Sequence, residues 1–168
     1  YGLDGQVVVS SGPNNTLLHW GTVSGFITQQ FVGHTDAVQD VAMSEDGSTV
    51  LSASADQTVI LWDVATGQAI YTFAGHESVV RTLSYLPGDT QAVSAAADGG
   101  LILWDLTTGE MVRRYGPLVE KGDIGHSDMV YDVAVSPNGL RMLSASADGA
   151  LILWDIENGS IIEQYKGH

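Results

Sequence analysis

Three sets of His, Ser, Asp and Trp recur in this chain of 168 residues at identical spacing. They are His34, Ser52, Asp56 and Trp62; His76, Ser94, Asp98 and Trp104; and His126, Ser144, Asp148 and Trp154, with gaps of eighteen, four and six residues. A hydroxyl, an imidazole and a carboxylate are the parts of a nucleophilic triad. The same parts also make a buried relay, in which an indole donates, a hydroxyl gives and accepts, and a carboxylate takes donors from imidazole and backbone. Repetition decides between the two. A nucleophile needs an open site and an oxyanion hole, and three equivalent copies in one small chain supply neither. The sets are read as a structural hydrogen-bond network, with no catalytic residue and no enzyme.

Other chemistries fare no better. The chain has no Cys, which removes disulfides, thiol nucleophiles and Cys-based metal sites together. The Asp after each of three Trp (Asp63, Asp105, Asp155) reads as a turn or strand-end residue, because aspartates spaced one per repeat do not converge on an ion. Four of the five His follow a Gly at the same repeat position, and His19 stands alone. No Gly-Lys-Ser or Gly-Lys-Thr loop is present. No metal and no cofactor are expected.

The elements that position these residues follow from the repeat. Trp20, Trp62, Trp104 and Trp154 are separated by 42, 42 and 50 residues, and His34, His76, His126 and His168 by 42, 50 and 42. The odd step comes from eight extra residues within 116 to 124. Each unit reads as four short strands, for example residues 37 to 43, 49 to 53, 58 to 64 and 69 to 73. The first alternates apolar and polar residues, the third is rich in β-branched and aliphatic residues, and Asp-Gly or Thr-Gly pairs mark turns. No window holds a 3.6-residue period long enough for a helix, so the chain reads as all β.

With Gly-His, the turn Asp and Trp-Asp repeating every 42 to 50 residues, the chain resembles the WD-repeat β-propeller family. The resemblance implies blades of four antiparallel strands around a channel, and an interaction platform without catalytic activity. Three blades are complete, and one lacks its innermost strand. The units are 1–34 (incomplete), 35–76, 77–126 with the inserted loop, and 127–168, all within one propeller or partial propeller. In the first unit Trp-Gly replaces Trp-Asp, Asn14 replaces the turn Asp, and the His is missing. Fifteen strands leave two readings: a piece of a longer propeller, or chains that join head to tail into one ring, a dimer being favoured.

Function then falls to the surface. Six Lys and Arg against twenty Asp and Glu give a net charge of −14, which argues against nucleic acid and anionic membrane as partners. No apolar run reaches a membrane-spanning length, and residues 1 to 10 lack the pattern of a signal peptide. These features fit the cytoplasm, as does the lack of Cys. The partner is expected to be a protein or peptide, or another copy of the chain. In the family, residues just after Gly-His and just before the turn Asp face the narrow end of the ring. Carried over, these are Ala37, Gln39, Val79, Arg81, Met129 and Tyr131, with Ala55, Ala97, Ala147 and Pro13 before the turn. Gln39, Arg81, Met129 and Tyr131 are the candidate partner-binding residues, Arg81, Met129 and Tyr131 foremost. Near the inserted loop, Arg113, Arg114 and Lys121 form a second candidate, a basic cluster that would steer an acidic peptide or a phosphate.

Overall fold

The computed structural model describes residues 7–116 and 125–167, all of it strand, turn and loop. Fifteen strands follow in chain order: β1 Val7–Ser11, β2 Leu17–Gly21, β3 Ile27–Phe31, β4 Val38–Met43, β5 Thr49–Ser54, β6 Thr58–Asp63, β7 Ala69–Ala74, β8 Val80–Tyr85, β9 Gln91–Ala96, β10 Leu101–Asp105, β11 Glu110–Tyr115, β12 Val130–Val135, β13 Arg141–Ser146, β14 Ala150–Asp155 and β15 Ile161–Lys166. They form one three-stranded sheet, β1-β2-β3, and three four-stranded sheets, β4 to β7, β8 to β11 and β12 to β15. Every pairing is antiparallel between sequence neighbours.

Central strands are buried on both faces where sheets stack. In β5 and β6 all residues but the end ones are buried, and β9 and β10 match them. Three apolar clusters fill the spaces between successive sheets. Leu17, Phe31, Val50, Ile60 and Trp62 join the first sheet to the second. Leu51, Leu61, Phe73, Ile102 and Trp104 join the second to the third, and Leu103, Tyr115, Met142, Ile152 and Trp154 the third to the fourth. Trp62, Trp104 and Trp154 therefore each pack on an aromatic of the preceding sheet's outer strand. Ring centroids are 5.7 Å apart for Phe31–Trp62, 5.2 Å for Phe73–Trp104 and 5.8 Å for Tyr115–Trp154, in tilted or edge geometries that aromatic quadrupoles favour.

The Gly of Gly-His lies against the same indole. A Cβ on Gly33 would stand 2.8 Å from the Trp62 ring, and one on Gly75 3.0 Å from Trp104, so a side chain at either position would have to displace its neighbours. A further device is the bulge that begins each inner strand. The ladder slips by one residue between Val38 and Asp40, Val80 and Thr82, and Val130 and Asp132. The skipped residues, Gln39, Arg81 and Tyr131, are thereby turned out of the pleat.

Candidate functional site

The recurrent polar residues meet inside the second and fourth sheets. Trp62 Nε1 donates to Ser52 Oγ at 2.8 Å, Ser52 Oγ lies 2.7 Å from His34 Nε2, and His34 Nδ1 lies 2.9 Å from Asp56 Oδ2. The assignment that uses every polar atom has Ser52 donate to Nε2 and Nδ1–H donate to the carboxylate. Asp56 also receives Thr35 N at 2.9 Å, and Thr58 N and Thr58 Oγ1 at 3.0 and 2.6 Å. Burial raises the Asp56 carboxyl, but the donors from Thr58, Thr35 and His34 outweigh it and hold it at about 2. Trp154, Ser144, His126 and Asp148 repeat the chain at 2.8, 2.7 and 3.0 Å. A companion hydroxyl ties each turn to the Gly-His loop. Ser54 Oγ donates to Asp36 O and accepts from Asp56 N, and Ser146 does the same with Asp128 O and Asp148 N.

The third sheet departs from this pattern. Trp104 and His76 both reach Ser94, at 2.8 and 2.7 Å, but Asp98 does not meet His76. His76 Nδ1, Asp98 Oδ2 and Arg114 Nη1 are buried without a hydrogen-bond partner. Two local differences accompany the break. Ala96 stands where the other sheets have Ser54 and Ser146, so the tie holding the turn is gone, and the Arg114 guanidinium reaches into the corner to donate to Gly75 O. Burial pushes the His76 imidazole down to about 4, with Asp98 opposing and Arg114 adding to the shift. In the first sheet Trp20 Nε1 donates to Ser10 Oγ at 2.9 Å, and His19 pairs instead with Thr28 at 2.6 Å.

None of these groups forms an open site. Ser52, Ser54, Ser94, Ser144, His34, His76 and His126 are all buried. Asp63, Asp105 and Asp155 each accept backbone N–H groups from their own turn, through Thr66, Thr107 and Thr108, and Asn158. Hydrogen bonds from Thr66 lower the Asp63 carboxyl, and those from Thr107 lower Asp105. Among the described residues, no three His, Asp or Glu are grouped so as to hold a metal ion.

The three bulge residues have a different setting. Arg81 Nη1 donates to Gln39 Oε1 at 3.1 Å, and Arg81 Nε donates to Met129 Sδ at 3.1 Å. Gln39, Arg81 and Met129 thus form one row, on β4, on β8 and just before β12. Tyr131, two residues on from Met129, is 58% exposed. Two of the five guanidinium N–H groups of Arg81 are used, and among the described residues it makes no ion pair. Beside the row, Asp36 and Asp128 accept the amides of Ala37 and Met129.

Arg113 and Arg114 do not come together. As neighbours on β11 they leave opposite faces of the sheet. Arg113 donates to Glu157 O at 3.0 Å, at the edge of a cleft of about 330 Å³ lined by Leu86, Leu103, Val112, Leu140 and Ile156. Arg114 is turned toward Gly75. Lys121 lies outside the described residues.

Several positioning residues carry repeat signals that the motif reading passed over. Phe31, Phe73, Tyr115 and Tyr165 follow the Trp spacing, at steps of 42, 42 and 50. Ser54 and Ser146 precede the turn Asp by two, and only alternation along the strand could have separated Arg113 from Arg114.

The stacking of Trp-bearing sheets and the repeated Gly-His, Asp and Trp contacts agree with a family comparison. The model of the WD domain, G-beta repeat, matches residues 25–63, 67–105 and 120–155, more than half of the chain. The chain belongs to the WD-repeat family. WD-repeat proteins are in general interaction scaffolds without catalytic activity. A search of the curated proteins finds no match.

Proposed function

We propose that this WD-repeat chain is a non-enzymatic protein-binding scaffold whose docking surface is the row Gln39, Arg81, Met129 and Tyr131. Units 1–34, 35–76, 77–126 and 127–168 act as one rigid platform. The observation that carries the reading is the state of Arg81: a half-buried cation, in a chain of net charge −14, held by Gln39 and Met129 with donors to spare and no carboxylate among the described residues. A guanidinium held in place on two sides has less rotamer freedom to lose on binding, and a paired carboxylate makes its strongest hydrogen bonds. Met129 and Tyr131 beside it offer a thioether and an aromatic ring to an apolar side chain. The acidic flanks, Asp36 and Asp128, select against peptides that are acidic throughout. The partner class is a peptide segment with one carboxylate next to an apolar residue and basic residues outside them. The same acidity argues against nucleic acid and anionic membrane as partners.

Selection of a random displayed peptide library on the immobilised chain tests this. Recovered peptides are expected to carry that pattern and to lose affinity at least tenfold against Arg81→Glu or Tyr131→Ala, while Val112→Ser leaves them unaffected. Binders indifferent to both row substitutions would contradict the assignment. The basic residues near the inserted loop are the second candidate surface, and loss of binding on Arg113→Ser or Arg114→Ser alone would favour it.

A further inference from the structure

The cleft of about 330 Å³ between the third and fourth sheets differs in chemistry from the same place in the other joints. Leu86, Leu103 and Ile156 are buried and form its floor, while Val112 and Leu140, 48% and 57% exposed, form its walls. The repeat shows that this exposure belongs to the positions. Thr90 and Ser48 stand where Leu140 stands, fifty and ninety-two residues earlier, and both are exposed as well. Only in the fourth sheet is that turn residue apolar. On the floor, Leu86 takes the place of Ser44, a buried residue whose hydroxyl bonds within its own turn. Two polar positions have thus become apolar, and both line one cavity.

The polar rim is equally particular. Gln29, Tyr71 and Arg113 are equivalent residues of the outer strands, and each donates to a turn carbonyl of the following sheet, at Thr66, Thr107 and Glu157. Tyr71 brings a ring that rests on Gly109. Arg113 makes the same latch with a flat, narrow guanidinium, and the cleft lies beside it. One of its five N–H groups is used, and among the described residues it makes no ion pair. The Gln91 side chain also lines the cavity, and Glu157 adds one negative charge at the rim.

We infer that this cleft is a ligand site for a small monocarboxylate with an apolar body, an aryl or short alkyl acid of about six to ten carbons. The apolar body rests on Leu86, Leu103 and Ile156 between Val112 and Leu140, where it removes exposed apolar surface from water. The carboxylate accepts from the free edge of Arg113, the charge-assisted pairing that a guanidinium makes best. A second carboxylate would meet Glu157, so diacids are selected against. The volume lies at the lower end of small-molecule sites, about 300 Å³, which suits one ring or short chain. None of Gln39, Arg81, Met129 and Tyr131 lines the cavity, so the site is separate from the row.

Methyl NMR titration of the full chain with phenylpropanoate and with hexanoate tests this independently of peptide binding. Saturable shifts are expected at the Val112 and Leu140 methyls, with a Kd of about 1 mM or tighter. Phenylpropanol, which lacks the charge, and phenylsuccinate, which doubles it, are each expected to bind at least tenfold more weakly than phenylpropanoate. Arg113→Gln, which installs the latch residue of the first sheet, is expected to weaken the acid to the level of the alcohol. Leu140→Thr, which installs the exposed residue of the third sheet, is expected to weaken both at least fivefold with an unchanged melting curve. Arg81→Glu is expected to change neither. The inference would be overturned by the absence of saturable shifts with either acid up to about 10 mM. Equal affinity for phenylpropanol and phenylpropanoate would overturn it too, as would binding that Arg113→Gln and Leu140→Thr both leave intact.

Discussion

The relay from Trp through Ser and His to Asp is worth most where it is complete. In the second and fourth sheets every buried member has a partner, whereas in the third His76 Nδ1 and Asp98 Oδ2 have none. Removing the carboxylate should therefore cost more at Asp56 than at Asp98. Asp56→Asn is expected to destabilise the chain by about 1–3 kcal/mol in urea unfolding, and Asp98→Asn by well under that. Restoring the missing hydroxyl should act in the opposite direction: Ala96→Ser is expected to stabilise by about 1 kcal/mol, if it ties the Asp98 turn as Ser54 ties that of Asp56. Titration follows from the same contacts. His76 is lowered from 6.5 to about 4, so the folded chain keeps it neutral while the unfolded chain takes up a proton. Its contribution is complete above pH 6.5 and is lost as the pH falls toward 4. Asp56, lowered from 3.8 to about 2, adds a second loss as pH falls through that lower window. Unfolding midpoints measured from pH 7 to 4 should fall with a slope of about one proton, and His76→Gln should flatten it.

At the scale of the strand, the turn between the second and third strands of the second sheet is a local weak point. Gln57 adopts a positive φ of 73° where the third and fourth sheets have Gly99 at 82° and Gly149 at 77°. A side chain there costs on the order of 1 kcal/mol, so Gln57→Gly is expected to raise stability by about 0.5–1 kcal/mol in the same assay. The turn itself, like the strands, was legible in the sequence. Alternation over β4, the aliphatic run of β6 and the Thr-Gly turn at 66 to 67 place strands within a residue or so of where they lie. Two things were not. The slip that turns out Gln39, Arg81 and Tyr131 depends on pairing with a partner strand, which a period along one strand does not encode. The break between His76 and Asp98 is accompanied by Arg114, which arrives from a strand sixteen residues later than the Asp and is placed there by pairing that the repeat does not encode. Arg113 and Arg114 teach the reverse lesson: adjacent residues of a strand point to opposite faces, so these two side chains part, while Lys121 lies outside the described residues.

For the whole molecule, charge sets how binding at the row responds to salt. Peptide binding at Arg81 is expected to weaken when salt is raised from about 20 to 300 mM, because it includes a charge pair and screening shortens the Debye length from roughly 20 Å to under 8 Å. The scaffold reading rests on the inner-strand row, and it is tested most directly by hydrogen exchange on the full chain with and without a selected peptide. Protection is expected at Ala37 to Asp40, Val79 to Thr82 and Met129 to Asp132, with the outer strands β7 and β11 unchanged. Protection confined to those outer strands, or to β14 and β15, with the inner-strand row exchanging as before, would contradict it.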